Sequence, residues 1–368
     1  MARREPDTFR QSSFKTERLR RRLLAWFDQN KRDLPWRLSR DPYAIWVSEI
    51  MLQQTRVAVV VDRYQDFLTR FPSLISLALA TEDEVLALWS GLGYYRRARM
   101  LHKAAQYVAH NYYGSLPRKS QELQELPGIG EYTAAAIASI AHGEPVAVVD
   151  GNVERVLCRF AGWEENAGIR RKVAALAARL VDPARPGDFN QAMMELGAIV
   201  CLPRSPNCAA CPLASDCSTR GEHKTLKRAP MKSVEIAHAL SVRTSTHKKA
   251  RDRASREVLL EQRPATLSVM PNMWQLPQLQ ETDVPPAELR MTLRHAIMQT
   301  NYYVRVRTVF EDDVARLTVP QGKRRWIPLG DAAKMALTGL ARKVLARAHL
   351  LPSAPLDAIA PPRDSEIL

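Results

Sequence analysis

Asp41-Pro42-Tyr43-Ala44-Ile45-Trp46-Val47-Ser48-Glu49-Ile50-Met51-Leu52-Gln53-Gln54-Thr55 places a single glutamate on an otherwise apolar helix. Tyr43, Trp46, Val47, Ile50 and Met51 fall at the spacings of one helical face, with Ile45 and Leu52 on the opposite side. A helix apolar almost all round is normally buried. An ionised carboxylate there must find a partner or have its pKa raised until it carries a proton near neutrality. On that reading Glu49 is a candidate general acid. The alternative is a glutamate that reaches solvent at the helix edge, since structural carboxylates are perturbed as well.

Working outward, the 368 residues are enough for about two domains of ordinary size. The balance of 54 Lys and Arg against 39 Asp and Glu, a net charge of +15, favours a polyanionic partner such as nucleic acid. No apolar run of about 18 residues is present, and residues 1–6 lack the apolar core of a signal peptide, so a cytosolic protein with no membrane association is expected. Four of the five cysteines crowd between Cys201 and Cys217, which is not a disulfide framework.

Helical periodicity runs almost unbroken to about residue 200, with segments expected at 19–27, 57–71, 82–89, 96–111, 133–141, 153–160 and 170–181. After the cysteines the pattern changes, and residues 257–261 and 302–310 read as strands. The expected organisation is a basic tail over residues 1–14, an all-α domain over 15–220 with a cysteine loop at 201–217, a linker at 221–234, an α+β domain over 235–350 and a disordered tail at 351–368.

Three further stretches carry chemistry. Leu126-Pro127-Gly128-Ile129-Gly130-Glu131-Tyr132-Thr133 joins two helical segments. Gly128 and Gly130 permit a turn whose backbone N–H groups could take a DNA phosphate at a helix N-terminus. Asp150, in Val148-Val149-Asp150-Gly151-Asn152-Val153, stands where a new helix begins. It can cap that helix and, held ionised, stabilise positive charge developing on a sugar. Glycosidic cleavage needs such a division of labour between an acid and an anion, and Glu49 and Asp150 would share it. Gly91-Leu92-Gly93-Tyr94-Tyr95-Arg96-Arg97-Ala98-Arg99 interleaves aromatic and basic residues, suited to bases and phosphates, or to a helix start with core tyrosines.

Cys201-x6-Cys208-x2-Cys211-x5-Cys217 implies one metal centre. Zinc is the generic reading of four cysteines, but one Cys-x2-Cys between unequal gaps is unlike a zinc ribbon. Cys158 lies apart on a helical stretch and reads as an inert core thiol.

Together with Leu34-Pro35-Trp36-Arg37 and Phe189-Asn190-Gln191-Ala192-Met193-Met194-Glu195-Leu196-Gly197, these motifs resemble the MutY-type adenine DNA glycosylases of the helix-hairpin-helix superfamily, over about residues 19–220. The resemblance implies a [4Fe-4S] cluster on Cys201, Cys208, Cys211 and Cys217, and extrusion of the target adenine from the duplex. It implies that Glu49 protonates the base and that Asp150 stabilises the sugar cation, supported by Tyr132 and Asn152. Trp36, Arg37 and Gln191 match pocket positions around the adenine; Gln54, Leu92 and Tyr94 match residues that wedge into the stack. The similar endonuclease III-like enzymes carry a nucleophilic lysine at the position of Tyr132. No lysine occurs between residues 131 and 157, so Schiff-base strand cleavage is not expected and a monofunctional, water-using glycosylase is.

The C-terminal half resembles the Nudix-like domain by which that family senses 8-oxoguanine, on Glu257-Val258-Leu259-Leu260-Glu261-Gln262-Arg263, Asn272-Met273-Trp274-Gln275-Leu276-Pro277 and His295-Ala296. The glutamate-rich Nudix helix is missing between residues 277 and 294, which argues against pyrophosphate hydrolysis. Where the family usually shows Phe-Ser-His, this chain has Ile297, Met298 and Gln299, so strong preference for 8-oxoguanine over guanine is in question. The expectation is a monomeric, nucleoid-associated enzyme of the bacterial cytosol that excises adenine opposite 8-oxoguanine or guanine from double-stranded DNA. A thymine-specific mismatch glycosylase, a catalytically silent DNA-binding protein and a Nudix hydrolase are the competing readings.

Overall fold

The computed structural model describes residues 8–164, 168–221, 230–244, 256–297 and 299–351, with side chains from Lys15 onward. Expectations about the rest of the basic tail, most of the linker, Met298 and residues 352–368 lie outside the described residues. By contacts the chain divides into Met1–Leu79 with Met100–Leu226, and Ala80–Arg99 with Lys227–Pro361.

The helices of the first 200 residues are α1 (Thr8–Asn30), α2 (Pro42–Leu52), α3 (Val57–Arg70), α4 (Leu74–Ala78), α5 (Glu82–Leu88), α6 (Arg96–Asn111), α7 (Ser120–Leu123), α8 (Glu131–His142), α9 (Gly151–Ala161), α10 (Ile169–Leu180) and α11 (Pro186–Ile199). The expected periodic segments coincide with helices, except that α1 starts well before residue 19. Its basic residues are not all solvated. The Arg20 guanidinium donates to the carbonyls of Arg179, Leu180 and Val181, capping the C-terminal end of α10, while Arg18 and Arg22 pair with Asp216 of the cysteine loop.

Helix α2 starts because Asp41 accepts a hydrogen bond from the Tyr43 amide and Pro42 supplies a first-turn residue whose missing N–H costs nothing. Every residue from Tyr43 to Met51 is buried. Its chief partner is α8, and α8 and α9 both pack against α11. Two glycines make those approaches possible. A Cβ on Gly187 would stand 2.7 Å from the Ile140 Cα, and one on Gly197 would stand 2.5 Å from the Asn152 Cβ. A second apolar cluster joins Leu23 and Phe27 of α1 to Val156, Leu157 and Cys158 of α9 and to Met193 and Leu196 of α11.

In the other unit, a five-stranded sheet has the order β6-β7-β1-β5-β8, from β1 (Lys232–Leu240), β5 (Gln278–Leu279), β6 (Leu289–Ile297), β7 (Thr300–Thr308) and β8 (Thr318–Val319). Strands β1 and β7 run parallel, with Val234 beside Tyr302, and β6 and β7 form an antiparallel hairpin. A second sheet joins β2 (Val242–Thr244), β3 (Arg256–Gln262), β4 (Trp274–Gln275) and β9 (Arg324–Pro328). Helices α12 (Val314–Leu317), α13 (Leu329–Ala332) and α14 (Gly339–Arg347) complete the unit, and Leu340, Val344 and Leu345 of α14 enter its core. Residues 232–234, expected in the linker, belong to β1 because Lys232 already pairs with Thr300. Within this unit the Tyr95 hydroxyl donates to the Leu337 carbonyl at 3.2 Å and Arg99 pairs with Glu82 at 2.8 Å.

The Gly187 approach yields a stability prediction. Gly187→Ala sets a methyl against backbone that cannot step aside, and should cost about 1–3 kcal/mol, seen as a lower urea midpoint. Gly151→Ala, with open space at its Cβ, should stay within about 1 kcal/mol of the parent; equal effects would refute the packing account.

Candidate active site

A cavity of about 460 Å³ opens in the helical unit, within the range of about 300–1,000 Å³ usual for small-molecule sites. The stripe Ile45, Ser48, Glu49 and Leu52 of α2 lines it. The side of α2 opposite its core face therefore meets the cavity and not solvent, which is why the helix is buried all round yet carries a carboxylate. Trp36, Arg37, Gln53, Gln54, Tyr132, Asp150 and Gln191 line the same cavity.

Glu49 is 6 % exposed and accepts a 2.8 Å hydrogen bond from the Tyr132 hydroxyl, which α8 presents on its first turn. Burial is the main force that raises its pKa to about 7. The Tyr132 hydrogen bond and Arg37 oppose the rise, and the charge of Asp150 adds to it. The carboxyl thus exchanges its proton near neutrality, as a general acid must.

Asp150 caps α9. One oxygen accepts the Val153 amide at 2.7 Å and the other accepts the Asn152 side-chain amide at 3.0 Å. Burial raises its pKa too, but both hydrogen bonds and the nearby Arg155 favour the ionised form. Of the two carboxyls, Asp150 has more donors and so is the better holder of negative charge. Asn152 is itself fixed by Arg155, which donates to its Oδ1 at 2.8 Å, to the Gly197 carbonyl at 2.7 Å and to the Cys201 carbonyl at 2.9 Å.

The cavity holds a third buried carboxylate that the sequence reading did not single out. Glu195 on α11 is 1 % exposed and accepts both Arg32 guanidinium and amide hydrogens and the Arg37 guanidinium, at 2.7 to 3.3 Å. Burial raises its pKa, but these donors outweigh it and hold the carboxyl at about 2. The signal was present, since Glu195 sits two turns of apolar helix beyond Phe189, but its partners lie some 160 positions away in the chain. Met194 was missed likewise; its sulfur lies 3.4 Å from the Tyr132 hydroxyl.

Trp36 stacks edge-on against Tyr64, with ring centroids 5.7 Å apart. Gln54 is exposed just past the end of α2 and takes a left-handed backbone, φ +56°. Leu92 and Tyr94 belong to the other unit. Leu92 is 4 % exposed, so the side chain expected to wedge into the stack is buried here, whereas Tyr94 is 46 % exposed at φ +45°. The Arg97 guanidinium lies 5.5 Å from both the Tyr94 and the Trp89 rings. Gly128 turns with φ +77°, and a Cβ there would stand 2.8 Å from the Met100 Cβ. Gly130 precedes α8 with no side-chain cap.

Cys201, Cys208, Cys211 and Cys217 all line one small cavity, and Cys158 is apart from it in the core. Burial pushes the Cys211 thiol up to about 11, with added repulsion from Cys201, Cys217 and Cys208. The four thiols share this one space, and four thiolates are the donor set of a zinc or an iron–sulfur site.

In the β-rich unit, residues 280–288 form no α-helix. The buried Glu257 pairs with Arg243 at 2.9 Å and Glu261 with Arg324 at 2.7 Å, so both serve structural ion pairs. Ile297 ends β6 and Gln299, exposed, lies in the turn to β7. No helix among the described residues is long and apolar enough to cross a membrane.

Residues 47–183 match the family described as HhH-GPD superfamily base excision DNA repair protein. The chain is 51 % identical over 210 residues to a human adenine DNA glycosylase, covering 54 % of this chain and 38 % of that one. Against the adenine DNA glycosylase of Buchnera aphidicola subsp. Acyrthosiphon pisum it is 38 % identical over 217 residues, covering 58 % and 62 %. It therefore spans roughly two fifths to three fifths of the length of these relatives. Its structure is similar to that of a thermostable thymine-DNA glycosylase, with TM-score 0.52 and 30 % identity over 57 % of this chain and 98 % of that one. With that enzyme covered almost end to end and the family matched across α2 to α10, the chain belongs to the HhH-GPD superfamily of base excision DNA repair proteins.

Proposed function

We propose that the protein is a monofunctional adenine DNA glycosylase that hydrolyses the N-glycosidic bond of adenine paired with 8-oxoguanine or guanine. The observation that carries this reading is the pair of buried carboxyls in one cavity, Glu49 poised near neutrality against Tyr132 and Asp150 held by its helix N-terminus. The likeness to adenine DNA glycosylases at 51 % identity supports adenine over thymine.

The target nucleotide leaves the duplex and its base enters the cavity. Glu49 gives its proton to a ring nitrogen as the C–N bond breaks and the bonding pair moves onto the purine. The Asp150 carboxylate stabilises the positive charge left on the sugar. Water then adds to that carbon and yields its proton to the Glu49 carboxylate, which restores the acid. Tyr132 is a phenol where a Schiff base would need an amine, so no strand cleavage accompanies excision. Gly128, Gly130 and the first turn of α8 hold a backbone phosphate of the duplex. The resemblance assigns stack-filling roles to Gln54 and, in the other unit, to Leu92 and Tyr94, and Leu92 would have to leave its buried position to take one. Trp36, Arg37 and Gln191 shape the purine site.

Cys201, Cys208, Cys211 and Cys217 would hold a [4Fe-4S] cluster, which would supply a cross-link within the loop that follows α11. The β-rich unit serves as the Nudix-like reader of the base opposite adenine. With Ile297 and Gln299 at the β6–β7 turn and no serine among residues 297–299, it distinguishes 8-oxoguanine from guanine only modestly.

Duplexes holding A opposite 8-oxoguanine, A opposite G and T opposite G, treated with alkali after incubation, test the reading. Cleavage is expected for the two adenine substrates and only after alkali; cleavage of the thymine substrate alone would overturn it. Glu49→Gln should lower the single-turnover rate by at least ~10² while binding persists in a gel shift. The wild-type rate should fall as pH rises through about 7, where Glu49 loses its proton, and fall again in acid as Asp150 gains one.

The same titration affects folding. Glu49 has an ordinary value of 4.5 unfolded and about 7 folded, so its protonation stabilises fully below 4.5 and that contribution is lost as pH rises through about 7. Ionising it in place costs about 3 kcal/mol. Glu49→Gln should therefore melt higher than wild type near pH ~8.5, with the gap closing toward pH ~5. A variant less stable at every pH would show that the carboxylate is not under strain.

A further inference from the structure

The cysteine loop rests on a buried cation that the excision chemistry does not use. Arg159, on the last turns of α9, is 3 % exposed. Its Nη1 lies 3.4 Å from the Cys201 Sγ and donates to the Leu202 carbonyl at 2.6 Å, and its Nη2 donates to the Pro203 carbonyl at 2.9 Å. The Arg159 carbonyl in turn accepts from the Cys217 thiol at 3.5 Å and from the Thr219 amide at 3.3 Å. One residue thus touches the first and last cysteines of the set, and it lines their cavity.

No carboxylate pairs with this guanidinium among the described residues, and its buried Nε has no hydrogen-bond partner. An unpaired buried charge is costly, and two carbonyl dipoles offset only part of the cost. Nearby acidic groups do not help, since Asp216 of the same loop is taken by Arg18 and Arg22. The missing anion is what four thiolates around a cationic iron–sulfur core would supply, because their charge exceeds that of the core.

We propose that Arg159 is the counter-charge of the cysteine-bound cluster, neutralising it from the Cys201 side and clamping both ends of the ligand loop. The inference rests on the cluster reading given above. Arg159 is a positioning residue, acting on retention and redox poise of the cluster through hydrogen bonding and charge at the sulfur. It makes no contact with the catalytic carboxyls.

The full chain and its Arg159→Met, Arg159→Lys and Arg220→Met variants, purified anaerobically, provide the test. Arg220 is an exposed cation on the same cavity and serves as the control. Iron and sulfide per chain, the rate of iron loss to a chelator, and the cluster midpoint potential are measured. Arg159→Met should lose iron roughly tenfold faster or more, and any cluster it keeps should be reduced at a more negative potential. Arg159→Lys and Arg220→Met should stay close to wild type. Arg159→Met with wild-type release rate and potential overturns the proposal. If Arg159→Met fails to fold by circular dichroism, Arg159→Lys decides: retained iron at the wild-type potential supports the charge, and loss of iron from a folded lysine variant overturns it. A wild-type chain that takes up no iron removes the cluster reading, and this role with it.

Discussion

Burying the Glu49 carboxyl is the constraint on which the site depends. Taken out of water with one hydrogen bond for compensation, the group cannot hold full charge at neutrality, and a pKa of about 7 follows because desolvation, with the charge of Asp150 added, outweighs Tyr132 and Arg37. The helix that carries it must be anchored on one face and open on the other. Core packing of Trp46, Val47 and Met51 does the first, and the cavity beside Ile45, Ser48 and Leu52 does the second. Tyr132 reaches Glu49 only because α2 and α8 pack together, and α8 begins just after Gly130 because the Leu126 to Gly130 turn allows it.

Two glutamates in this one cavity show how environment alone assigns roles. Glu49 and Glu195 are almost equally shielded from solvent, yet one sits at about 7 and the other at about 2. The difference is the count of charged donors. Glu195 receives two guanidinium groups and an amide, while Glu49 receives a phenol and faces the negative Asp150. Groups driven apart in this way can serve as a reservoir of charge and a donor of protons side by side. Glu195 also orients Arg32 and Arg37 along the wall, and the Arg37 Nε is buried there without a partner.

Local pattern made most of the helical unit legible. Period and glycine placement fixed the positions of α3, α6, α8 and α10 to within two residues of the segments expected from sequence, because each amphipathic stripe is a local property. The carboxyl pair was legible for the same reason, since a lone glutamate in an apolar helix and an aspartate before Gly151 are visible without neighbours. What stayed hidden depends on distant contacts. Nothing near Arg20 announces that it caps α10, nothing near Arg32 announces Glu195, and the burial of Leu92 contradicts no pattern in its own motif. In the β-rich unit β7 was visible as alternation and β3 as the short run from Glu257 to Glu261, while the parallel pairing of β1 with β7 is set by chain that lies far off in sequence.

The Asp150 turn and the cysteine loop are mechanically joined. Arg155 spans from Asn152, which holds Asp150, to the carbonyl of Cys201, and takes the Gly197 carbonyl on the way. Gly197 must lack a side chain, because any Cβ would meet Asn152 at 2.5 Å and push it from Asp150. One helix turn further along α9, Arg159 grips the start and end of the same loop. A displacement of Cys201 therefore pulls on both arginines of one rigid helix whose N-terminal amides hold the Asp150 carboxylate. The cysteine loop is held toward the far end of α9 from Asp150, yet it shares with Asp150 the helix whose N-terminal amide holds that carboxylate.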